Sequence, residues 1–215
     1  FPLGELTYEG AVEAFEEQMT GLKQGGVDVA WIETMSSPEE IDAAIEAANK
    51  VGLDYVVTAS FDTAGNTMMG LSPSAFAGQM AAKEPRPTAF GSNCGVGASD
   101  LLGAAIDMVA NADGIPVVAK ANAGIPKIAG DKVVYSGSPE LMADYAKLAM
   151  NLGVSIIGGC CGNSPAHVKA MADAVRTHNG GDAPTAAEII ETLGPLVSPK
   201  SDKKSERSNR RRRRS

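Results

Sequence analysis

Serine–proline pairs open four of the amphipathic segments of this chain: Ser37-Pro38, Ser72-Pro73, Ser138-Pro139 and Ser164-Pro165. A serine hydroxyl satisfies free N–H groups at a helix start, and proline suits the first helical position because its missing N–H would have no partner there. Short apolar runs alternate with these segments, so the chain divides itself into strand–helix units. Strands are expected at 27–34 (VDVAWIET), 55–60, 88–93, 116–121 and 154–158. Helices are expected at 7–24, 37–50, from 72, and at 99–111, 138–152, 164–178 and 185–193, with a long loop between Ala121 and Gly137. Gly25-Gly26 and Gly52 stop the first two helices.

Strand–helix alternation of this regularity predicts a parallel sheet with right-handed crossovers. It suits a (β/α)8 barrel or a doubly wound sheet, and periodicity alone does not choose between them. A closed barrel takes eight strands and about 250 residues. Five strands are legible here, preceded by a helix without a strand of its own. A barrel reading therefore leaves about three N-terminal strands out of this chain. The first residue is Phe1 and no leader pattern surrounds it, so the chain is expected to begin inside a longer reading frame.

Charge divides unevenly. Residues 199–215 hold nine Lys/Arg against two acids, which leaves ten against twenty-four for residues 1–198. An acidic body with a basic end is not a nucleic-acid-binding domain by charge, and the Arg210–Arg214 run fits a solvated, disordered tail. No run of about 18 apolar residues predicts a membrane span. Three cysteines in 215 residues make no disulfide framework, and two of them are adjacent, which strains a bond between them. A reducing, cytoplasmic setting and a metal or catalytic use follow. Self-association is left open.

Each cysteine stands where a strand meets its following loop: Cys94 in Gly91-Ser92-Asn93-Cys94-Gly95, Cys160 and Cys161 in Gly158-Gly159-Cys160-Cys161-Gly162. In parallel α/β folds the C-terminal strand ends converge, so 66 intervening residues need not separate these thiols in space. Neighbouring residues on a strand face opposite ways, and the flanking Gly158, Gly159 and Gly162 are expected to let the backbone turn both sulfurs inward. Three thiolates with one open position describe a catalytic zinc site. The plainer alternative is three cysteines acting as small apolar residues. A further alternative makes Gly158-Gly159, ahead of a helix N-terminus, a phosphate cradle of a sugar- or nucleotide-metabolising barrel, with incidental cysteines.

The stretch from Gly158 to His167 (GGCCGNSPAH) closely resembles the GGCCG-x-x-P-x-H signature of the homocysteine S-methyltransferases. Ser92-Asn93-Cys94 resembles that family's earlier N-C motif, Trp31-Ile32-Glu33-Thr34 its strand ending in glutamate, and Asn122-Ala123-Gly124 its N-A-G loop. The likeness runs in order through residues 5–195. It implies a (β/α)8 TIM barrel, a partial homocysteine-binding domain over 1–198, and Cys94, Cys160 and Cys161 as ligands of Zn2+. A thiolate-rich zinc is a weak Lewis acid that keeps a bound sulfur nucleophilic, which suits alkyl transfer better than water activation.

Glu33 and Trp31 share one strand face with Val29 and Met35; Asp28, Ala30 and Ile32 take the other. Glu33 is a candidate for the substrate ammonium, against a solvated strand-end acid. Trp31 is a candidate for a cationic methyl donor, against a core tryptophan. Asn122 and Asp62 are strand-end polar groups that bind amino-acid ends or cap turns. His167 is expected to hydrogen-bond at a helix start and not to ligate metal. Residues 33–40 and 60–65, with the Arg-rich end, look like bacterial betaine–homocysteine methyltransferases. The resemblance thus implies methyl transfer from betaine to homocysteine, with S-methylmethionine as the alternative donor. A non-catalytic fragment completed by a separate chain is a third expectation, because five strands leave two open edges.

Overall fold

In a computed structural model, residues 1–198 are described; the basic segment 199–215 lies outside the described residues. The elements are α1 (Tyr8–Gln24), β1 (Val29–Met35), α2 (Pro38–Val51), β2 (Asp54–Ala59), α3 (Pro73–Ala81), β3 (Ala89–Cys94), α4 (Ala98–Ala110), β4 (Val117–Ala121), β5 (Pro126–Ala129), β6 (Lys132–Tyr135), α5 (Pro139–Leu152), β7 (Ile156–Gly159), α6 (Pro165–Thr177) and α7 (Ala186–Leu193). The helix starts follow from the capping residues. Ser37, Ser72 and Ser138 accept from the N–H groups of Glu40, Ala75 and Leu141, and Gly52 and Gly153 end their helices in the left-handed region.

Five strands form one parallel sheet in the order β1-β2-β3-β4-β7. Sequential strands are neighbours throughout, as in a (β/α) barrel and unlike a doubly wound sheet, where the order reverses at a switch point. Curvature is visible in one contact. Lys120 on β4 forms an ion pair with Glu33 on β1, across β2 and β3. Three strand spacings of about 4.8 Å make roughly 14 Å along a flat sheet, too far for these two side chains unless the sheet curls. The chain is an arc of five strands of a barrel, with β1 and β7 each paired on one side among the described residues.

The convex face carries the helices and the core. Ala43, Ala44, Ala47 and Ala48 of α2 are fully buried, as are Val57, Phe76, Met80 and Phe90. Alanine keeps the helix close to the strands, and Phe76 meets Phe90 edge-on at 5.6 Å between ring centroids. A second cluster joins Leu102, Ala105, Met142, Tyr145 and Ile189. On the concave face a small apolar layer of Val56, Ala89 and Val118, flanked by Val29 and Ile156, floors the arc.

Two expectations need correcting. The segment from Ala121 to Gly137 is no simple loop: β5 and β6 pair antiparallel, Pro126 opposite Tyr135 and Ala129 opposite Lys132. Its four-residue arms are too short and too exposed to show a buried face, so alternation gave no signal. Met35 does not share the face of Trp31 and Glu33. Thr34 adopts φ +60°, the β1–β2 register shifts between Ile32 and Met35, and Met35 joins Ala30 and Ile32 in the helix-side core.

Candidate metal centre

The C-terminal ends of β3 and β7 bring the three cysteines together. Cys161 Sγ lies 3.9 Å from Cys94 Sγ and 4.0 Å from Cys160 Sγ, and all three sulfurs fall within 4.8 Å of one another. Ligands about 2.3 Å from a tetrahedral zinc are separated by about 3.8 Å, close to the two separations that Cys161 makes. Cys94 and Cys160 are half-buried and Cys161 is exposed, which leaves one side of the triangle open.

The backbone turns the sulfurs inward differently from what the glycine pattern suggests. Of Gly158, Gly159 and Gly162, only Gly162 is left-handed, at φ +76°. Left-handed backbone occurs instead at one of the three cysteines, Cys94 at φ +64°, followed by Gly95 at φ +74°. A non-glycine residue there costs about 1 kcal/mol or more and needs outside support. Asn122 supplies it: its Nδ2 donates to Gly95 O at 2.7 Å and approaches Cys94 Sγ at 3.8 Å, while its Oδ1 accepts from Cys161 N at 3.0 Å. One buried amide thus ties both cysteine loops together. Gly159 serves close approach, since a Cβ there would meet the Asn163 side chain at 2.4 Å. Asn163 Nδ2 in turn donates to Ala121 O at 2.9 Å.

A second amide works from below. Asn93 is fully buried; its Oδ1 accepts from Thr34 N at 2.9 Å and Thr58 Oγ1 at 2.7 Å, and its Nδ2 donates to Thr34 Oγ1 at 2.7 Å. The same Nδ2 lies 3.8 Å from Cys160 Sγ. The ends of β1, β2, β3 and β7 are therefore linked through one side chain. Burial, and after it the neighbouring Cys160, pushes the Cys94 thiol up to about 11, so metal-free Cys94 keeps its proton at neutral pH. Tyr135 of the hairpin is raised as well, first by burial and then by Cys161. Its ring packs where a Cβ on Gly162 would stand.

The remaining candidates fall on the concave face or at its rim. Glu33 pairs with Lys120, whose Nζ also stands 5.1 Å from the centroid of the Trp31 ring. Trp31 is 38% exposed, so it is not a core residue. Asn122, expected among substrate-binding residues, is 2% exposed and has its amide engaged by the cysteine loops. Asp62 accepts from Thr63 Oγ1 at 3.0 Å, as a turn residue does. His167 Nδ1 accepts from Ser164 N at 3.0 Å, which leaves the proton on Nε2 to donate to Gly137 O at 3.1 Å. It is a helix-start residue, as expected. Asn93, Asn163, Tyr135 and Lys120 were not singled out by sequence reasoning. For Lys120 a signal existed: one lysine in an otherwise apolar strand, in phase with buried Val118.

A sequence profile of the homocysteine S-methyltransferases matches residues 2–175. The chain belongs to the homocysteine S-methyltransferase family. It is 29% identical over 204 residues to a methionine synthase of Mycobacterium leprae (strain TN), covering 91% of this chain and 16% of that protein. Crystal structures of the homocysteine methyltransferase MmuM from Escherichia coli share its fold. The apo form has a TM-score of 0.59 at 23% identity, covering 76% of this chain and 57% of that one. The metallated form has the same TM-score and identity, covering 77% and 52%. The chain thus spans about half the length of those E. coli chains and a sixth of the methionine synthase. Among the described residues, no helix is long and apolar enough to cross a membrane.

Proposed function

We propose that this chain carries the metal-binding part of a cytoplasmic, zinc-dependent methyltransferase that moves a methyl group from a small onium donor, betaine in the first instance, to the thiol of homocysteine, giving methionine. The observation that carries this reading is the triangle of Cys94, Cys160 and Cys161 at sulfur separations of 3.9 and 4.0 Å. Membership of a family named for homocysteine, and the metallated form of an E. coli relative in fold, support it. The domain is residues 1–198, as an arc of the barrel.

Three thiolates around Zn2+ leave the site at −1, with room for one further ligand. An ordinary thiol is mostly protonated at neutral pH, and zinc, when bound, would supply the Lewis acidity that lets the acceptor's sulfur shed its proton. The residues of the chain do the rest. Asn122 and Asn93 hold the cysteines in place, and Glu33 takes the acceptor's ammonium. The Trp31 ring face, which already accommodates a cation, receives the onium group of the donor. A lone pair of the acceptor sulfur forms the S–CH3 bond as the N–CH3 bond breaks, and its electrons leave on nitrogen as a neutral tertiary amine. No added redox cofactor is needed for that balance.

The test is a methyl-transfer assay on the purified protein in its natural reading frame, with homocysteine and a panel of donors that includes betaine and S-methylmethionine. The expected result is one zinc per site and turnover with betaine. Full activity after replacement of all three cysteines would sink the reading.

A further inference from the structure

Lys120 is a charged concave-face group near the cysteines to which the reaction as written gives no task. It sits in β4, whose other residues are Val117, Val118, Ala119 and Ala121. Its position is opposite Asn93 on β3 and Gly158 on β7, one step before the level where Cys94 faces Ala121. Gly158 leaves the lysine stem room, since a Cβ there would lie 3.3 Å from Lys120 Cγ. The side chain is 23% exposed and that of Glu33 37%. A partly desolvated pair of this kind adds little to stability, because lost hydration offsets the Coulomb gain. Its presence inside the arc calls for another reason.

We propose that Lys120 is the carboxylate anchor of a zwitterionic substrate, with Glu33 opposite it as the ammonium site. The inference rests on the methyl-transfer reading and deepens it. A small zwitterion, in which carboxylate and ammonium sit one carbon apart, can insert into the Lys120–Glu33 pair and give each residue a new partner. The site's net charge then stays the same. A simple anion would leave Glu33 unpaired, and a simple cation would leave Lys120 unpaired, each at a desolvation cost. The third neighbour, Trp31, offers a ring face at 5.1 Å to whichever cation stands beside it. The ligand class is therefore an α-amino acid or trimethylglycine, and the two share this chemistry. An amine-only thiol or choline lacks it.

Calorimetric titration of the zinc-loaded protein, in its natural reading frame, tests this with two ligand pairs. One pair is homocysteine and 3-aminopropane-1-thiol, which is homocysteine without its carboxylate; the other is betaine and choline. Lys120→Met is expected to weaken the carboxylate-bearing member of at least one pair by about 10- to 100-fold, the worth of a charge-assisted contact, and to move its carboxylate-free partner less than about 2-fold. The pair that responds identifies whether acceptor or donor is anchored. Lys120→Arg should restore part of the loss. Lys120→Gln serves as the second variant should Lys120→Met fail to fold, with zinc content and circular dichroism as controls. Equal losses on both members of each pair, or no loss on any, overturn the anchor and leave the methyltransferase reading intact. Failure of the unaltered protein to bind either thiol overturns both.

Discussion

The two faces of the one sheet are built from alternate residues of the same strands, yet they differ in almost every physical respect. On the convex face Val57, Phe90 and Ala119 are fully buried among helices. On the concave face the same strands carry Trp31, Glu33, Asn93 and Lys120, with three thiols at the rim. The convex face is predominantly apolar. The concave face holds charge, strained backbone and half-exposed sulfur. What separates them is a phase of one residue, so the fold and the chemistry are written in alternate letters of the same strands.

That division can be broken from either side. The largest effect is expected from Phe90→Ala, which empties a site packed against Phe76: about 3–5 kcal/mol of stability lost in denaturant unfolding, and metal binding lost with it where the chain unfolds. Cys160→Ala should do the reverse. Zinc measured by plasma emission falls below one per site, while unfolding of the metal-free protein shifts by less than about 1 kcal/mol. A large stability loss in that metal-free variant would show that the two faces are not separable.

Asn122→Ala sharpens the comparison, because the amide lies behind the thiols and touches no substrate in this reading. Zinc affinity should drop about 10- to 100-fold in chelator competition, with the three sulfurs intact. The smallest effect is in pH. Folding holds the Cys94 thiol at about 11 against an ordinary 9.0, so in metal-free protein the unfolded chain ionises first as pH rises. Native Cys94 then binds its proton more tightly than the unfolded chain, and stability declines between about 9 and 11. The same proton has to leave on metal uptake, so apparent zinc affinity should increase with pH across the neutral range. A pH-independent affinity would contradict the protonated state of the cluster.

Much of the convex face was legible in advance, because capping serines, stop glycines and apolar runs are local signals. The strand–helix units fall within a residue or two of their expected ends, and the cysteines meet as strand-end placement requires. What stayed hidden was non-local. The turn at Thr34 is imposed by Asn93, 59 residues away, through Thr34 N and Oγ1, and no pattern in VDVAWIET announces that Met35 will cross to the other face. The glycines around Cys160 and Cys161 pointed to the right loop with only part of the reason, since Gly159 makes room for Asn163 and the left-handed cysteine is Cys94. Lys120 needed the curl of the sheet before its partner could be named.

The placement of Trp31 has a practical consequence. It is the only tryptophan in the chain, and its ring lies at the mouth of the arc with the Lys120 ammonium beside it. Emission excited selectively from tryptophan therefore reports on the candidate substrate site, whereas the buried Tyr55 and Tyr145 contribute only when tyrosine is excited as well. A molecule that displaces Lys120 from the ring is expected to change the emission of that single tryptophan. The protein comes with an optical probe already installed where occupancy matters, and a titration can be followed without a label.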